Sequence, residues 1–121
     1  MNKEQLEFFK TLLLELEKET MAHIDVVRKE LSELSNEPAD EVDLASREEE
    51  RMIKLRIIER ETKLLPKIRY SLKQISEENY GYCEETGEPI GIERLLLRPT
   101  ARFSVDSKTF MEIKEKEFRE N

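Results

Sequence analysis

The spacing of apolar residues in the first third of the chain is the feature that most restricts its fold. From Lys3 to about Ser35, apolar residues recur three and four positions apart, with no Gly or Pro between them. This is the a/d spacing of a coiled coil, in which a narrow seam on one helix packs against a second helix. Thr20 and His23 interrupt the seam. We predict one long helix with its apolar seam at Leu6, Phe9, Leu13, Leu16, Val27, Leu31 and Leu34.

The composition agrees with narrow helical seams and disagrees with a large spherical core. Charged residues make up 40% of the 121 residues and hydrophobic residues 37%. Apolar side chains are therefore too few to form a large spherical core. High charge is also typical of disordered chains. The regular placement of the apolar residues favours a folded coiled coil over disorder.

A second long helix follows a polar tip loop at residues 36–44, which contains Pro38. The helix is predicted to start near Asp43 or Leu44, with Asp43 as a possible N-cap, and to run to about Glu78. Pro66 lies inside it and predicts a kink, because proline removes one backbone hydrogen bond. Its apolar residues are Met52, Leu55, Ile58, Leu65, Ile68, Leu72 and Ile75.

Two such helices joined by a short loop are expected to pack as an antiparallel hairpin about 50 Å long. Residues 1–79 are assigned to this hairpin. Residues 80–121 contain all three glycines and a Thr86-Gly87-Glu88-Pro89 turn signal, which predicts a small β-hairpin. A terminal helix is expected from about Val105 to Arg119, capped by Ser104 or Asp106. The predicted fold class is mainly α, a coiled-coil hairpin plus a small second domain.

The charge and the single cysteine limit the function classes. A net charge of −7 disfavours a protein that grips nucleic acid through its phosphates, so no direct DNA binding is expected. One Cys excludes an intramolecular disulfide framework and a four-cysteine metal site. No apolar run is long enough to span a bilayer, and the first residues lack signal-peptide architecture. The cytoplasm is therefore the expected location. The chain is also expected to be a monomer.

Three segments resemble the DksA/TraR family. Residues 80–95, YGYCEETGEPIGIERL, are similar to the family's GYC-x-x-C-G-x-x-I-G-x-x-R-L segment, and residues 98–101 match its RPTA. At the tip, residues 39–45 with 47–50, ADEVDLA and REEE, match its D-x-x-D-x-A…EEE loop. The resemblance covers nearly the whole chain.

The resemblance implies a non-enzymatic factor that binds bacterial RNA polymerase. In that family the coiled coil enters the secondary channel of the polymerase and its tip approaches the active centre. It destabilises promoter complexes there, typically at ribosomal RNA promoters, together with guanosine tetraphosphate (ppGpp). The matching tip residues are Asp40, Asp43 and Ala45. Aspartates are also common in turns and N-caps, and Ala45 is an ordinary helix former, so structural roles stay open for them.

The resemblance also implies a ppGpp site at the polymerase interface. Arg60, Lys67 and Lys108 match basic positions of that site, and Leu64 matches a contact beside them. Arg60, Leu64 and Lys67 are spaced by four and three residues and share a helix face. On residue type alone, they would be the solvated face of a helix. Arg94 and Arg98 are candidates for either a polymerase contact or a cap within the small domain.

In zinc-bearing members of the family, two Cys-x-x-Cys pairs bind the metal. The matching positions are Cys83, Thr86, Ser104 and Ser107, and one thiol with three hydroxyls is not a zinc donor set. No bound zinc is therefore expected. Hydrogen bonds among these residues and an apolar cluster are expected to replace the metal. Cys83 is interpreted as a remnant, since Glu84 and Glu85 disfavour a reactive thiol. The expected cluster is Tyr82, Ile90, Ile92, Leu95, Phe103, Val105 and Phe110, with Leu95, Leu96 and Leu97 assigned to the core.

Two other functions remain as alternatives. A Gre-type transcript-cleavage factor also carries an acidic tip on a coiled coil, where carboxylates recruit a second Mg²⁺. A non-catalytic coiled-coil adaptor would use the hairpin only to bind a partner. A stand-alone enzyme is disfavoured, because no Ser/His/Asp set, phosphate loop or metal cluster is present.

Overall fold

The chain is mainly helical in a computed structural model that describes residues 1–36 and 41–120. Some helical side chains are outside that description, namely those of residues 41, 42, 108, 110, 111 and 118–120. The helices are α1 (Lys3–Asn36), α2 (Glu41–Ser76), α3 (Ile92–Leu97) and α4 (Val105–Glu120). The described residues contain no β-strand, only one isolated bridge. The predicted helical hairpin and the mainly α fold class are confirmed.

The chain divides into two compact units. The hairpin unit comprises Leu14–Arg69. The terminal unit comprises Met1–Leu13 together with Tyr70–Asn121.

Ion pairs within the hairpin unit show that α1 and α2 run antiparallel. As the residue number of the α1 partner increases from pair to pair, that of the α2 partner decreases, which is the pattern of antiparallel helices. The pairs are Glu17 with Arg69 at 3.1 Å, His23 with Glu61 at 3.5 Å, and Glu30 with Lys54 at 2.9 Å.

The seam of α1 is continuous where the sequence suggested an interruption. Thr20 is buried, with 4% of its surface exposed, and occupies a seam position as a polar residue. The next position is filled by Ile24, also 4% exposed, whereas the side chain of His23 is 48% exposed. The seam therefore moves by one residue at this point, from His23 to Ile24, and continues to the buried Val27.

Helix α2 differs from its prediction mainly at its start. It begins at Glu41, so Asp43 is the third residue of the helix and not its N-cap. The helix continues through Pro66 without ending there. Ile68 is fully buried, but Met52 and Leu55, predicted as seam residues, are 43% and 37% exposed.

The terminal unit has its own core. Phe9 and Leu13 of α1, Tyr80, Cys83 and Leu95 are each at most 4% exposed. The ring of Phe9 packs against the ring of Tyr80 with 5.7 Å between centroids. This core differs from the predicted one. Of the predicted cluster, Leu95 is buried, Ile90 and Phe103 are half-buried, Phe110 lies outside the described side chains, and Tyr82, Ile92 and Val105 are exposed.

Helix α3 was not predicted, and it explains an error in the assignment of the leucine run. Its six residues turn Leu95 inward, while Leu96 is 50% and Leu97 85% exposed. On a helix, consecutive residues point about 100° apart, so three successive leucines cannot all face one core.

The predicted β-hairpin is present as a single antiparallel bridge between Tyr82 and Pro89. Backbone bonds from Cys83 N to Glu88 O and from Ile90 N to Gly81 O, both 2.8 Å, flank it. Pro89 has no N–H to donate, so a ladder cannot extend regularly through it. The turn closes at Gly87, whose φ of 77° suits a residue without a side chain.

The start of α4 agrees with the sequence. The Ser104 hydroxyl accepts a hydrogen bond from the backbone N–H of Ser107 at 3.2 Å, which makes Ser104 the N-cap residue. In the part of the chain that the structure describes, no helix is long and apolar enough to cross a membrane.

Candidate functional site

The four positions that match zinc ligands lie together in the terminal unit. Cys83 is buried, with 2% of its surface exposed. Its thiol is hydrogen-bonded by the Thr86 hydroxyl and by backbone groups of Ser104, Thr86 and Glu85. Ser104 in turn caps Ser107. Hydrogen bonds therefore connect all four positions.

These hydrogen bonds change the acidity of the thiol. Burial by itself raises the pKa of Cys83, because a thiolate loses its hydration. The hydrogen bonds from Thr86 and the nearby backbone outweigh burial and lower the pKa of Cys83 to about 6. The sequence argument against a lowered pKa, based on Glu84 and Glu85, was therefore wrong. Those carboxylates have other partners, so the thiol is surrounded by hydrogen-bond donors.

Glu85 provides the fifth member of this cluster. Its carboxylate accepts a short hydrogen bond from the Ser107 hydroxyl, and Ser107 is only 5% exposed. The cluster thus connects the turn at residues 83–88 with the first turn of α4. We name Cys83, Glu85, Thr86, Ser104 and Ser107 the hydroxyl cluster.

The donor set of the hydroxyl cluster does not fit a structural zinc site. Such sites use four thiolate, imidazole or carboxylate donors, whereas hydroxyls are poor zinc ligands. Here three of the four family positions carry hydroxyls, and the Glu85 carboxylate is engaged by Ser107. His23 belongs to the hairpin unit and pairs there with Glu61. Among the described residues, no group of three or more His, Cys, Asp or Glu could hold a metal ion.

A second polar cluster lies beside the first. The guanidinium of Arg102 lies 2.6 Å from the Glu84 carboxylate and 4.5 Å from the centroid of the Tyr70 ring. The Tyr70 hydroxyl donates a short hydrogen bond to the other oxygen of Glu84. The hydrogen bond from Arg102 is the largest cause that holds the pKa of Glu84 below its usual range. This arrangement ties the end of α2 to the segment before α4.

The tip residues are described in part. Asp43 and Ala45 lie in the first turns of α2, and both are exposed. Asp40 lies outside the described residues. The exposed carboxylate of Asp43 lies close to the amino terminus of α2, where the helix dipole favours negative charge.

Three of the four predicted ppGpp residues share one face of α2 in the hairpin unit. The side chain of Arg60 is 73% exposed and lies 3.4 Å from the Glu61 carboxylate. Lys67 is exposed, and Leu64 is half-buried between them. Lys108 lies in the first turn of α4, and its side chain is outside the described ones. The face therefore presents two accessible cations beside an apolar residue.

The sequence left Arg94 and Arg98 as either polymerase contacts or caps within the small domain. The structure gives the two side chains different surroundings. The Arg94 side chain donates a hydrogen bond to the backbone oxygen of Phe103 at 3.0 Å and so has a structural role. Arg98 is exposed.

Two models of known protein families match most of the chain. Residues 5–75 match the model of the DnaK suppressor protein DksA, N-terminal domain, and residues 78–108 match the prokaryotic dksA/traR C4-type zinc finger. The chain belongs to the DksA/TraR family. The zinc-finger match is one of sequence and does not alter the donor set described above.

Two relatives in the DksA/TraR family are similar to this chain over all or nearly all of its length. One is the RNA polymerase-binding transcription factor DksA of Caulobacter vibrioides, 40% identical over 121 residues, which are 100% of this chain and 85% of the relative. Another is the protein of the same name from Escherichia coli K12, 42% identical over 118 residues, 97% of this chain and 78% of the relative.

A solved structure of the same family has the same fold. Transcription factor DksA2 from Pseudomonas aeruginosa superimposes with a TM-score of 0.85 at 48% identity, covering 96% of this chain and 89% of that one. The fold is therefore that of a DksA/TraR protein along almost the full chain.

Sequence reasoning did not find two groups within this DksA/TraR chain. One is the Tyr70, Glu84 and Arg102 cluster, whose members are 14 and 18 residues apart, and the other is the link from Glu85 to Ser107. Neither has a local spacing signature. The sequence offered one indication: three of the four zinc-binding cysteines of the family are replaced here. Other groups must therefore connect the segments that the metal would join.

Proposed function

We propose that the chain binds bacterial RNA polymerase through its secondary channel and regulates transcription initiation from within that complex. The observation that carries this proposal is the similarity over the whole chain to relatives named as RNA polymerase-binding transcription factors. The antiparallel pairing of α1 and α2 supports it, since a helical hairpin is an element able to enter a narrow channel. The relatives are named as transcription factors and not as enzymes, so we assign the chain no catalytic activity of its own.

In the proposed complex, the tip acts on the active centre of the polymerase. Asp40, Asp43 and Ala45 are the proposed effector residues. The exposure of Asp43 and Ala45 supports this role, because neither side chain is needed to fill a core. A carboxylate in this position can pair with a basic group of the polymerase or perturb the surroundings of its catalytic Mg²⁺. The small side chain of Ala45 permits close approach to the partner.

We further propose that ppGpp binds between the chain and the polymerase. Arg60 and Lys67 supply charge for the phosphates, Arg with forked donors and Lys as a compact cation. Leu64 provides an apolar contact between them, and Lys108 is assigned to the same site by its match to the family. The exposure of Arg60 and Lys67 on one face supports the proposal.

The proposed factor acts without zinc and in the cytoplasm. The hydroxyl cluster joins the same segments that four thiolates join in a zinc finger, with hydrogen bonds in place of metal bonds. A factor of this type is independent of zinc supply, because its folding energy does not include metal binding.

The proposed function is tested by multi-round transcription from a ribosomal RNA promoter with purified bacterial RNA polymerase. The metal-free chain is added with and without ppGpp. We expect inhibition that deepens with ppGpp, and its loss in Asp43→Asn. Asp25→Asn is the matched control, since Asp25 is an exposed carboxylate on α1 of the same unit. It should inhibit as the unaltered chain does.

Other outcomes separate the alternatives. If the chain at saturation leaves transcription unchanged, the proposal is wrong and the adaptor function becomes the leading one. If it stimulates RNA cleavage in stalled complexes, the Gre-type function replaces it. If Asp25→Asn loses inhibition as Asp43→Asn does, the assignment of the tip is wrong.

A further inference from the structure

The terminal unit contains a cavity that the proposed function does not use. Its volume is about 410 Å³, which is within the range of small-molecule sites in proteins. Its walls come from the last turns of α2 and from the segments on either side of α3. Every lining residue belongs to the terminal unit, so one compact part of the chain forms the whole cavity.

Ser71 is a buried residue of this wall whose hydroxyl is not used by the fold. It is 3% exposed and lies in the last turns of α2. A serine inside a helix commonly bonds to a backbone carbonyl one turn earlier. Ser35 and Ser76 do so, with 3.1 and 2.7 Å between their hydroxyl oxygens and the carbonyl oxygens. The hydroxyl of Ser71 has no hydrogen bond to any residue that the structure describes.

This hydroxyl faces open space within the cavity. In the described part of the chain, no fully enclosed side-chain oxygen or nitrogen of a residue that is not exposed lacks a hydrogen bond. The Ser71 oxygen lacks one, so it borders the cavity that Ser71 lines. A buried hydroxyl without a partner is unfavourable, because it has lost its bonds to bulk water. A ligand with a matching polar atom would remove that cost.

Two neighbouring groups of the wall also have unused binding capacity. Gln74 follows Ser71 by three positions, so both side chains lie on one face of α2, and the Gln74 carboxamide has no described hydrogen bond. The ring of Tyr82 is 45% exposed. Unlike the rings of Tyr70 and Tyr80, it has no cation or ring contact among the residues described. The cavity thus offers a hydroxyl, a carboxamide and an aromatic face.

The charged groups of the wall are already bound to other groups. The carboxylate of Glu84 and the guanidinium of Arg102 hold each other at 2.6 Å. The Cys83 thiol is hydrogen-bonded by Thr86 and nearby backbone groups. The other lining residues are neutral, and the chain has a net charge of −7. The free groups therefore suit a neutral planar ligand with polar edges, and they disfavour one recognised through phosphates.

We propose that this cavity, which we name the α2-end cavity (Ser71, Gln74 and Tyr82), binds the adenine ring of a nucleoside. A side-chain carboxamide pairs with adenine at two points, the N6 amino group and N7, and Gln74 supplies that group. The ring of Tyr82 stacks on the base, as aromatic side chains do on every base. The Ser71 hydroxyl donates to or accepts from a third atom of the ring edge. The inference goes beyond the proposed function, because the site needs neither polymerase nor any residue assigned to ppGpp.

The inference is tested by calorimetric titration of the full chain alone with adenosine. We expect one saturable site with a dissociation constant of about 1 mM or tighter. Guanosine should bind about tenfold more weakly, since its edge does not match a carboxamide at two points. ATP presents the same ring with phosphates attached. It should bind no more tightly than adenosine, because Arg102 is already paired with Glu84.

Gln74→Ala and Ser71→Ala are the test variants, and each should weaken adenosine binding by about five- to tenfold. Ser71→Ala should not lower the thermal unfolding midpoint, because the hydroxyl that it removes makes no bond within the described fold. Weaker binding by this variant therefore reports on the ligand and not on folding. Ser76→Ala is the matched control, since Ser76 is a bonded serine of the same helix outside the cavity. It should bind adenosine within about twofold of the unaltered chain.

Three results would overturn the inference. The first is no binding of adenosine at about 10 mM. The second is equal binding of adenosine by the unaltered chain and both test variants, which would place the nucleoside elsewhere on the chain. The third is equal affinity for adenosine and guanosine or tighter binding of ATP, because recognition would then not depend on the adenine edge in a neutral site.

Discussion

Arg102 holds Glu84 through one carboxylate oxygen, with Nη2 at 2.6 Å and Nε at 2.9 Å from Oε2. The other oxygen of Glu84 accepts from Tyr70, so the carboxylate is bound on both sides. The two residues belong to segments that metal coordination would otherwise help to hold in a zinc finger. Their geometry leads to a prediction about stability and pH.

Replacing Glu84 by Gln should destabilise the chain by about 1 kcal/mol at pH 7, a modest value because both partners are partly exposed. The pKa of Glu84 is lower in the folded state than in the unfolded state, mainly through the Arg102 hydrogen bond. Its stabilising contribution is therefore present above the unfolded pKa and is lost as the pH falls through the folded pKa. Chemical unfolding of both proteins from pH 7 to pH 3 should show the difference shrinking below about pH 4.

Glu88→Gln is the control for this effect, because Glu88 is an exposed carboxylate of the neighbouring turn. It should leave the free energy of unfolding nearly unchanged at every pH. A Glu84→Gln protein as stable as the unaltered chain at pH 7 would show that the Arg102 pair contributes nothing.

The Cys83 thiol should titrate with a midpoint near pH 6 in the folded chain, as its lowered pKa of about 6 requires. In denaturant, the midpoint should return to about 8.5. Because the folded pKa is the lower one, the thiolate's contribution to stability is full above the unfolded pKa and is lost as the pH falls through about 6. Thiolate absorbance near 240 nm measures both midpoints, and Cys83→Ser should remove the signal. A folded midpoint above 8 would contradict the hydrogen bonding of the hydroxyl cluster.

Removal of metal should not change the stability of the chain. Its thermal unfolding midpoint should be the same with and without a strong chelator, since the hydroxyl cluster lacks a zinc donor set. A chain carrying Thr86→Cys, Ser104→Cys and Ser107→Cys should instead bind zinc and lose stability on chelation. A drop in the midpoint of the unaltered chain on chelation would show that it uses a metal after all.

Two apolar truncations should have very different costs. Ile68 is fully buried, so Ile68→Ala should lower the free energy of unfolding by about 2–5 kcal/mol through lost contacts and a cavity. Leu97 is 85% exposed, so Leu97→Ala should change it by no more than about 0.5 kcal/mol. Urea unfolding of the two variants measures both changes. An equal loss of unfolding free energy in the two variants would contradict the assignment of Leu97 to the surface.

The helices were predictable because their signal is local and repeated. Spacing of three and four residues placed α1 within one residue at its end, and Ser104 gave the start of α4 through its capping hydroxyl. The shift of the seam from His23 to Ile24 was not predictable from α1 alone. It depends on which residues of α2 lie opposite, and Glu61 is available there to pair with His23.

The terminal unit was less predictable because its contacts join distant segments. Periodicity did not reveal α3, whose six residues are too few to establish a repeat, and so Leu96 and Leu97 were placed in the core. The acidity of Cys83 was misjudged for a similar reason. Its sequence neighbours are carboxylates, but the groups that contact the thiol include Ser104, 21 residues away, through its backbone.

The terminal unit combines two segments that the ribosome makes at different times, Met1–Leu13 and Tyr70–Asn121. Met1–Leu13 belongs to this unit, and the ring of Phe9 packs against the ring of Tyr80, which comes 71 residues later in the chain. Ribosomes extend a chain from the amino terminus at about 5–20 residues per second. Phe9 therefore leaves the exit tunnel several seconds before Tyr80, and the hairpin unit, Leu14–Arg69, is translated in full during that interval. Of this pair of rings, the one on α1 is thus synthesised well before the ring that it packs against.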